Sequence, residues 1–159
     1  QLLAEAGCVV VTGGYGGLMA AVCQGAREAG GHTVGVTLPL RGLAANPWVC
    51  EERPQESYVE RVSHVTTRAD AYVALDGGVG TLTELALTWS MLQAGAVPPR
   101  PLVALGRRWR QLFAVFASEL ILRPHELALV TLVDTADEVV AALREGWRRQ
   151  TDERCTAAG

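Results

Sequence analysis

Lysine is missing from this chain. Its 159 residues carry 14 basic side chains, and every one is arginine. A pyridoxal-phosphate enzyme needs a lysine for its Schiff base, and a P-loop needs one for its phosphates, so the chain reads as neither. Histidine is scarce: His32, His64 and His125 are all there is. His125-Glu126 has no second histidine four residues on, so the zinc-protease pattern fails. The four cysteines, Cys8, Cys23, Cys50 and Cys155, contain no C-x-x-C pair and fit neither a zinc site nor a disulfide scaffold. No metal site is expected. Cys8 and Cys23 sit in apolar surroundings and read as buried thiols, which suits a reducing cytoplasm.

Long hydrophobic runs are lacking too. None reaches the ~20 residues of a membrane span, and no cationic segment followed by an apolar stretch marks export. We expect no membrane partner and a cytoplasmic location. Charge of one sign is also lacking, with a net charge of −3 and scattered arginines. Arg107-Arg108-Trp109-Arg110 is the densest basic group and Arg148-Arg149 a smaller one. A polynucleotide binder shows a stronger basic face, so no nucleic-acid partner is expected. The opening stretch 2–7 reads as the end of a helix, and a first strand is expected to be missing ahead of Gln1.

What is present is a globular composition, 49% hydrophobic and 19% charged. The length suits one domain, expected over residues 1–150 with a C-terminal tail at 151–159. Apolar, β-branched runs ending in turns predict strands at 8–12, 33–36, 71–75, 102–105 and 129–133. Helical periodicity predicts helices at 18–29, 57–68, 81–93 and 109–120. In the second of these, Tyr58, Val62, Val65 and Ala69 share an apolar face. A T-x-x-E box at Thr135 and Glu138 opens a last helix. Residues 40–56 read as a long loop, and such loops are often functional. Strands and helices alternate and the strands are apolar throughout. That predicts an α/β, Rossmann-like parallel sheet with helices on both faces, binding ligands beyond the carboxyl ends of its strands.

Two glycine turns fall at that edge. In Asp76-Gly77-Gly78-Val79-Gly80-Thr81, a strand ends and a helix starts near Thr81. Free N–H groups at a helix start carry partial positive charge, and glycines let backbone approach an anion closely. A phosphate is the natural ligand, with Thr81 adding a hydroxyl. Glu84 has two readings: a functional carboxylate, or the partner of Thr81 in a plain capping box. The other turn, Thr12 to Met19, packs four glycines into five residues. They serve either close packing of helix on strand or contact with a nucleotide. Arg61 shares the polar side of its helix with Ser57, His64 and Arg68. The default place for such a face is solvent, and Asp70 is expected to help end the helix.

These residues resemble the LOG ("lonely guy") family of cytokinin-activating phosphoribohydrolases, often labelled lysine decarboxylases. The family's P-G-G-x-G-T-x-x-E stands here as Asp76 to Glu84. Its G-G-x-x-G-L-M segment stands as Gly13-Gly14-Tyr15-Gly16-Gly17-Leu18-Met19. Residues 25–31 leading into Val34-Gly35-Val36 are similar as well, and in the family an arginine recurs on the helix before the Asp76–Glu84 motif, as Arg61 does here. The likeness covers 8 to about 143. It implies hydrolysis of the N-glycosidic bond of a purine nucleoside 5′-monophosphate, giving adenine or a prenylated adenine and ribose 5-phosphate. It assigns Arg61 and Glu84 to catalysis and Gly14, Gly17, Met19, Gly77, Gly78, Val79, Gly80 and Thr81 to substrate binding, without metal or organic cofactor. It also implies a homodimer or larger assembly. Trp89, Met91 and Leu92 are candidates for that contact, or for core packing. Asp76 replaces the family's proline, and Val62 stands where many members have lysine. Both departures are expected to shift substrate preference or weaken catalysis. The alternative is a non-catalytic carrier of a nucleotide or of a phosphorylated pterin (molybdenum cofactor) on the same scaffold.

Overall fold

The structure is a computed structural model that describes residues 1–39 and 42–157, with side chains described as far as Arg149. It divides into two compact units, Gln1–Ala69 and Asp70–Gly159.

The first unit contains α1 (Leu2–Glu5), β1 (Val10–Thr12), α2 (Leu18–Glu28), β2 (Thr33–Thr37), β3 (Glu51–Pro54) and α3 (Tyr58–Thr67). Its strands form a parallel sheet ordered β1-β2-β3, with Val10 opposite Thr33 and Val34 opposite Glu51. All five residues of β2 are buried, as a central strand of β-branched residues should be. Val34 and Val36, almost fully enclosed, each contribute roughly 1.5–3 kcal/mol by leaving water. Cys23 and Ala26 cover the core from α2 and Val62 from α3.

The second unit contains β4 (Tyr72–Ala74), α4 (Val79–Gln93), β5 (Leu102–Leu105), α5 (Arg107–Glu119), α6 (Pro124–Leu127), β6 (Val130–Val133) and α7 (Ala136–Ala157). Its sheet is ordered β4-β5-β6, again parallel, with Tyr72 opposite Leu102 and Leu102 opposite Val130. Val103 and Ala104 on β5, Leu85 on α4, Phe113 on α5 and Leu143 on α7 are buried. The expected architecture is therefore present: parallel strands flanked by helices in a Rossmann-like α/β fold.

Several expectations need correction. β3 lies inside the stretch 40–56 expected as a loop, of which Leu40 and Arg41 lie outside the described residues. Its sequence, Glu-Glu-Arg-Pro, has no apolar alternation because it is an exposed edge strand. α4 begins at Val79, not Thr81, with Gly78 as N-cap. α5 begins at Arg107, and the four-residue α6 has too little periodicity to be read from sequence. Tyr58 is half exposed, so only Val62 of the expected apolar face of α3 is buried outright. Cys8 is only half-buried, whereas Cys23 is enclosed. The capping box of α7 is present. Thr135 N donates to Glu138 (3.2 Å) and Glu138 N donates to Thr135 Oγ1 (3.3 Å). The helix runs through the expected tail to Ala157. No helix among the described residues is long and apolar enough to cross a membrane.

Candidate active site

In the first unit, β1 ends in the turn that leads to α2, at the carboxyl end of the strand. The turn is held from three sides. Gly14 N donates to Thr12 Oγ1 (3.0 Å). Asn46 reaches in from the long connection, its Nδ2 donating to Gly14 O and Tyr15 O (3.0 Å each). The Tyr15 hydroxyl donates to Leu38 O (2.9 Å) and accepts from Leu38 N (2.7 Å).

Arg61 completes this group. A polar helix side defaults to solvent, yet only 9% of Arg61 is exposed. Ser57 and Arg68 do face water, and His64 is half-buried. Burial, then the charges of Arg68 and Arg53, hold His64 below the ordinary histidine pKa, which favours its neutral form. Arg61 Nε donates to Val36 O on β2 (2.8 Å), and its guanidinium lies 5.7 Å from the centroid of the Tyr15 ring, within cation–π range. The sequence delivers Arg61 there because Ser57 and Glu60 form a complete capping box that sets where α3 begins.

The glycines of this turn have separable jobs. A Cβ on Gly13 would overlap the Arg61 guanidinium and lie 2.8 Å from Met19 Sδ. A Cβ on Gly14 would press on Thr37 Cγ2 (2.9 Å) and Gly35 Cα (3.1 Å). Packing alone therefore requires glycine at both positions. Gly17 is the exposed N-cap of α2 with φ +65°, a conformation that favours glycine.

In the second unit, the turn after β4 leads to α4. A Cβ on Gly77 would collide with the Thr81 side chain, so packing alone requires that glycine. Gly78 and Gly80 differ. Neither has positive φ, and a Cβ on either meets nothing within 4 Å. Internal packing gives no reason for glycine at either position, and the space above them is open. Val79 is exposed and Gly80 half-buried. With Gly78 as N-cap, Thr81 falls inside the first turn, so the Thr81–Glu84 capping box is overturned. Glu84 is half-buried and stands four residues after Gly80, on the same helix face. Helical side chains lean toward the helix start, which turns Glu84 toward Gly80 and Thr81.

α2 and α4 share another feature. Neither has a side-chain cap or an acidic residue in its first turn. Their starting N–H groups carry partial positive charge, and no carboxylate stands within the first turn itself. α5, behind Gly106, starts in the same way, whereas α3 and α7 have full capping boxes. Among the described residues, no three His, Cys, Asp or Glu side chains gather as a metal site would require. Trp89 packs inside its unit, 5.0 Å from Phe113 between ring centroids, with Nε1 donating to Glu126 O (2.7 Å), which is the core-packing reading.

The structure thus brings Gly13, Gly14, Met19 and Arg61 together in the first unit, and Gly77 to Thr81 with Glu84 in the second. Asn46 and Tyr15 were not singled out from sequence. The one available signal was an asparagine before Pro47 inside a long connection.

Fold and site define a Rossmann-like α/β protein with a glycine turn at the carboxyl end of one strand in each unit. The family described as "Possible lysine decarboxylase" matches residues 19–143, and the chain belongs to it, the LOG family of the resemblance above. Among curated relatives, a "Probable cytokinin riboside 5′-monophosphate phosphoribohydrolase" of Oryza sativa subsp. japonica is 37% identical over 102 residues, 62% of this chain and 45% of that protein. A cytokinin riboside 5′-monophosphate phosphoribohydrolase of Arabidopsis thaliana is 38% identical over 89 residues, 53% of this chain and 41% of that protein. The chain spans less than half the length of these two relatives. Among solved structures, the molybdenum cofactor binding protein of the phototrophic bacterium Rippkaea orientalis aligns with a TM-score of 0.71 at 23% identity, covering 91% of this chain and 81% of that one. At that identity the likeness is one of fold.

Proposed function

We propose that this chain hydrolyses the N-glycosidic bond of a purine nucleoside 5′-monophosphate, releasing adenine or a prenylated adenine and ribose 5-phosphate. The observation that carries the reading is the open space over Gly78 and Gly80, at a helix start with no side-chain cap. The substrate phosphate fills that space, held by backbone N–H groups and the Thr81 hydroxyl. The named activity of the curated relatives supports the substrate class.

Arg61 and Glu84 are the proposed catalytic pair. As the bond between C1′ and the base nitrogen breaks, its electron pair leaves with the base and positive charge builds on the ribose. A carboxylate such as Glu84 stabilises that oxocarbenium-like state and takes a proton from the attacking water, whose oxygen bonds to C1′. The departing base takes up a proton in turn, so the protons balance. Arg61, already oriented by Val36 O and the Tyr15 ring, orients the nucleotide. Gly14, Gly17 and Met19 line the nucleotide from the first turn. With no lysine for a Schiff base, decarboxylation is not this chain's chemistry in our reading. Residues 1–150 work as one domain, in the cytoplasm, within a homodimer or larger assembly.

The test is release of free base by full-length protein from AMP and from isopentenyladenosine 5′-monophosphate. A second reading, a non-catalytic carrier of a nucleotide or molybdenum cofactor, is favoured by Asp76 and Val62 in place of the family's proline and lysine. Tight binding of ligand with no base released selects it.

A further inference from the structure

Asp76 is the family departure nearest the proposed phosphate turn, and its carboxylate has a partner. Asp76 Oδ2 accepts from Arg108 Nη1 (3.2 Å), while Oδ1 lies 3.4 Å from where a Cβ on Gly106 would stand. The start of α5, which supplies Arg108, is tied to the residue before Asp76, because buried Trp109 donates from Nε1 to Leu75 O (3.0 Å). α5 begins against the usual rule. Its first turn has Arg107 and Arg108 and no acidic residue, where the helix dipole disfavours cations.

The pair is too exposed to matter much for stability, with Arg108 78% and Asp76 45% accessible at the side chain. Its value is electrostatic. Asp76 precedes the N-cap Gly78 by two residues, so an uncompensated carboxylate would repel an anion at that helix start. Together with Arg107 and Gln111 the pair lines an open surface groove of about 390 Å³. Two arginines stand there with one carboxylate, so the lining has a net positive charge.

We propose that Arg108 is a positioning residue that neutralises Asp76 and thereby allows the Gly77–Thr81 turn to accept a phosphate. The proposal rests on reading that turn as the phosphate grip.

The experiment is a calorimetric titration of AMP into full-length wild type, Arg108→Ala, Asp76→Asn and the double variant, with Arg108→Gln as a second probe. Arg108→Ala and Arg108→Gln should raise Kd roughly five- to tenfold at low salt, with melting temperature almost unchanged. Asp76→Asn alone should not weaken binding. The double variant should return to within about twofold of wild type, and the Arg108→Ala defect should shrink as salt screens it. A double variant as weak as Arg108→Ala overturns the proposal, because Arg108 would then act on the ligand by itself. So does an Arg108→Ala that binds like wild type, which leaves the phosphate reading of the turn standing. A wild type that takes up no AMP removes that reading, and the proposal with it.

Discussion

The guanidinium of Arg61 occupies the space that a side chain at Gly13 would need. Gly13→Ala should therefore push Arg61 off Val36 O and the Tyr15 ring rather than merely stiffen the turn. Overpacking of this kind costs about 1–3 kcal/mol. Base release from AMP should fall roughly as far as it does in Arg61→Ala. Gly16 is the control, since a Cβ there meets nothing within 4 Å. Gly16→Ala should stay within about 0.5 kcal/mol of wild type. Melting curves and initial rates on the three variants check this, and wild-type turnover in Gly13→Ala would break the link between the turn and Arg61.

Gly80 sets up an opposition of signs. It lies inside α4 without positive φ and without a neighbour in its Cβ space. Gly80→Ala should stabilise the fold by up to about 1 kcal/mol, because glycine is a poor helix former and loses more entropy on folding. The same methyl group stands where the phosphate is proposed to sit, so affinity for AMP should drop about tenfold or more. A variant both more stable and equally tight in binding would mean that the glycine serves no ligand.

How far the residues could be read in advance follows from which signals were local. Strands such as β2 and β5 announce themselves because burial on both faces demands unbroken apolar runs. The Thr135–Glu138 cap is legible since both partners lie within four residues. β3 was not, because an edge strand of Glu, Glu, Arg and Pro is recognisable only through its pairing with β2. The start of α4 was misplaced by two residues because Thr81 imitates an N-cap, while the actual cap, Gly78, offers no side chain. Arg61 looked like part of a solvated face, since the turn that buries it lies almost fifty residues upstream. Asn46 and Tyr15 were missed for the same reason: their partners are backbone groups distant in sequence.

Glu84→Gln separates chemistry from structure. The position is not part of a capping box, so the amide should leave the melting temperature within a few degrees of wild type. Nucleotide binding should survive, while turnover should fall at least about 100-fold with the loss of the base that activates water. Single-turnover rates beside an equilibrium titration of AMP read the two effects apart. A variant that unfolds yet keeps its specific activity would return Glu84 to a structural role.

Glu126 gives the fold a pH dependence whose sign can be worked out. Its carboxylate accepts from Arg123 N (2.7 Å) and Gln93 Nε2 (3.2 Å) and pairs with Arg123 Nε (3.4 Å), tying α6 to α4. The Arg123 backbone N–H is the main cause that holds its pKa below the ordinary glutamate value, with the Arg123 charge and Gln93 adding to it. A lowered folded-state pKa means that the unfolded chain binds the proton more readily. The stabilisation is then complete above the unfolded value of about 4.3 and is lost as pH falls from there through the lower folded value. Glu126→Gln should lower the melting temperature by roughly 3–6 °C at pH 7. The gap to wild type should close as pH falls below about 4, because protonated Glu126 is then no better an acceptor than glutamine. Thermal melts of both proteins from pH 3 to 7 decide it, and a gap that stays constant across that range would assign the contribution of Glu126 to packing rather than to its charge.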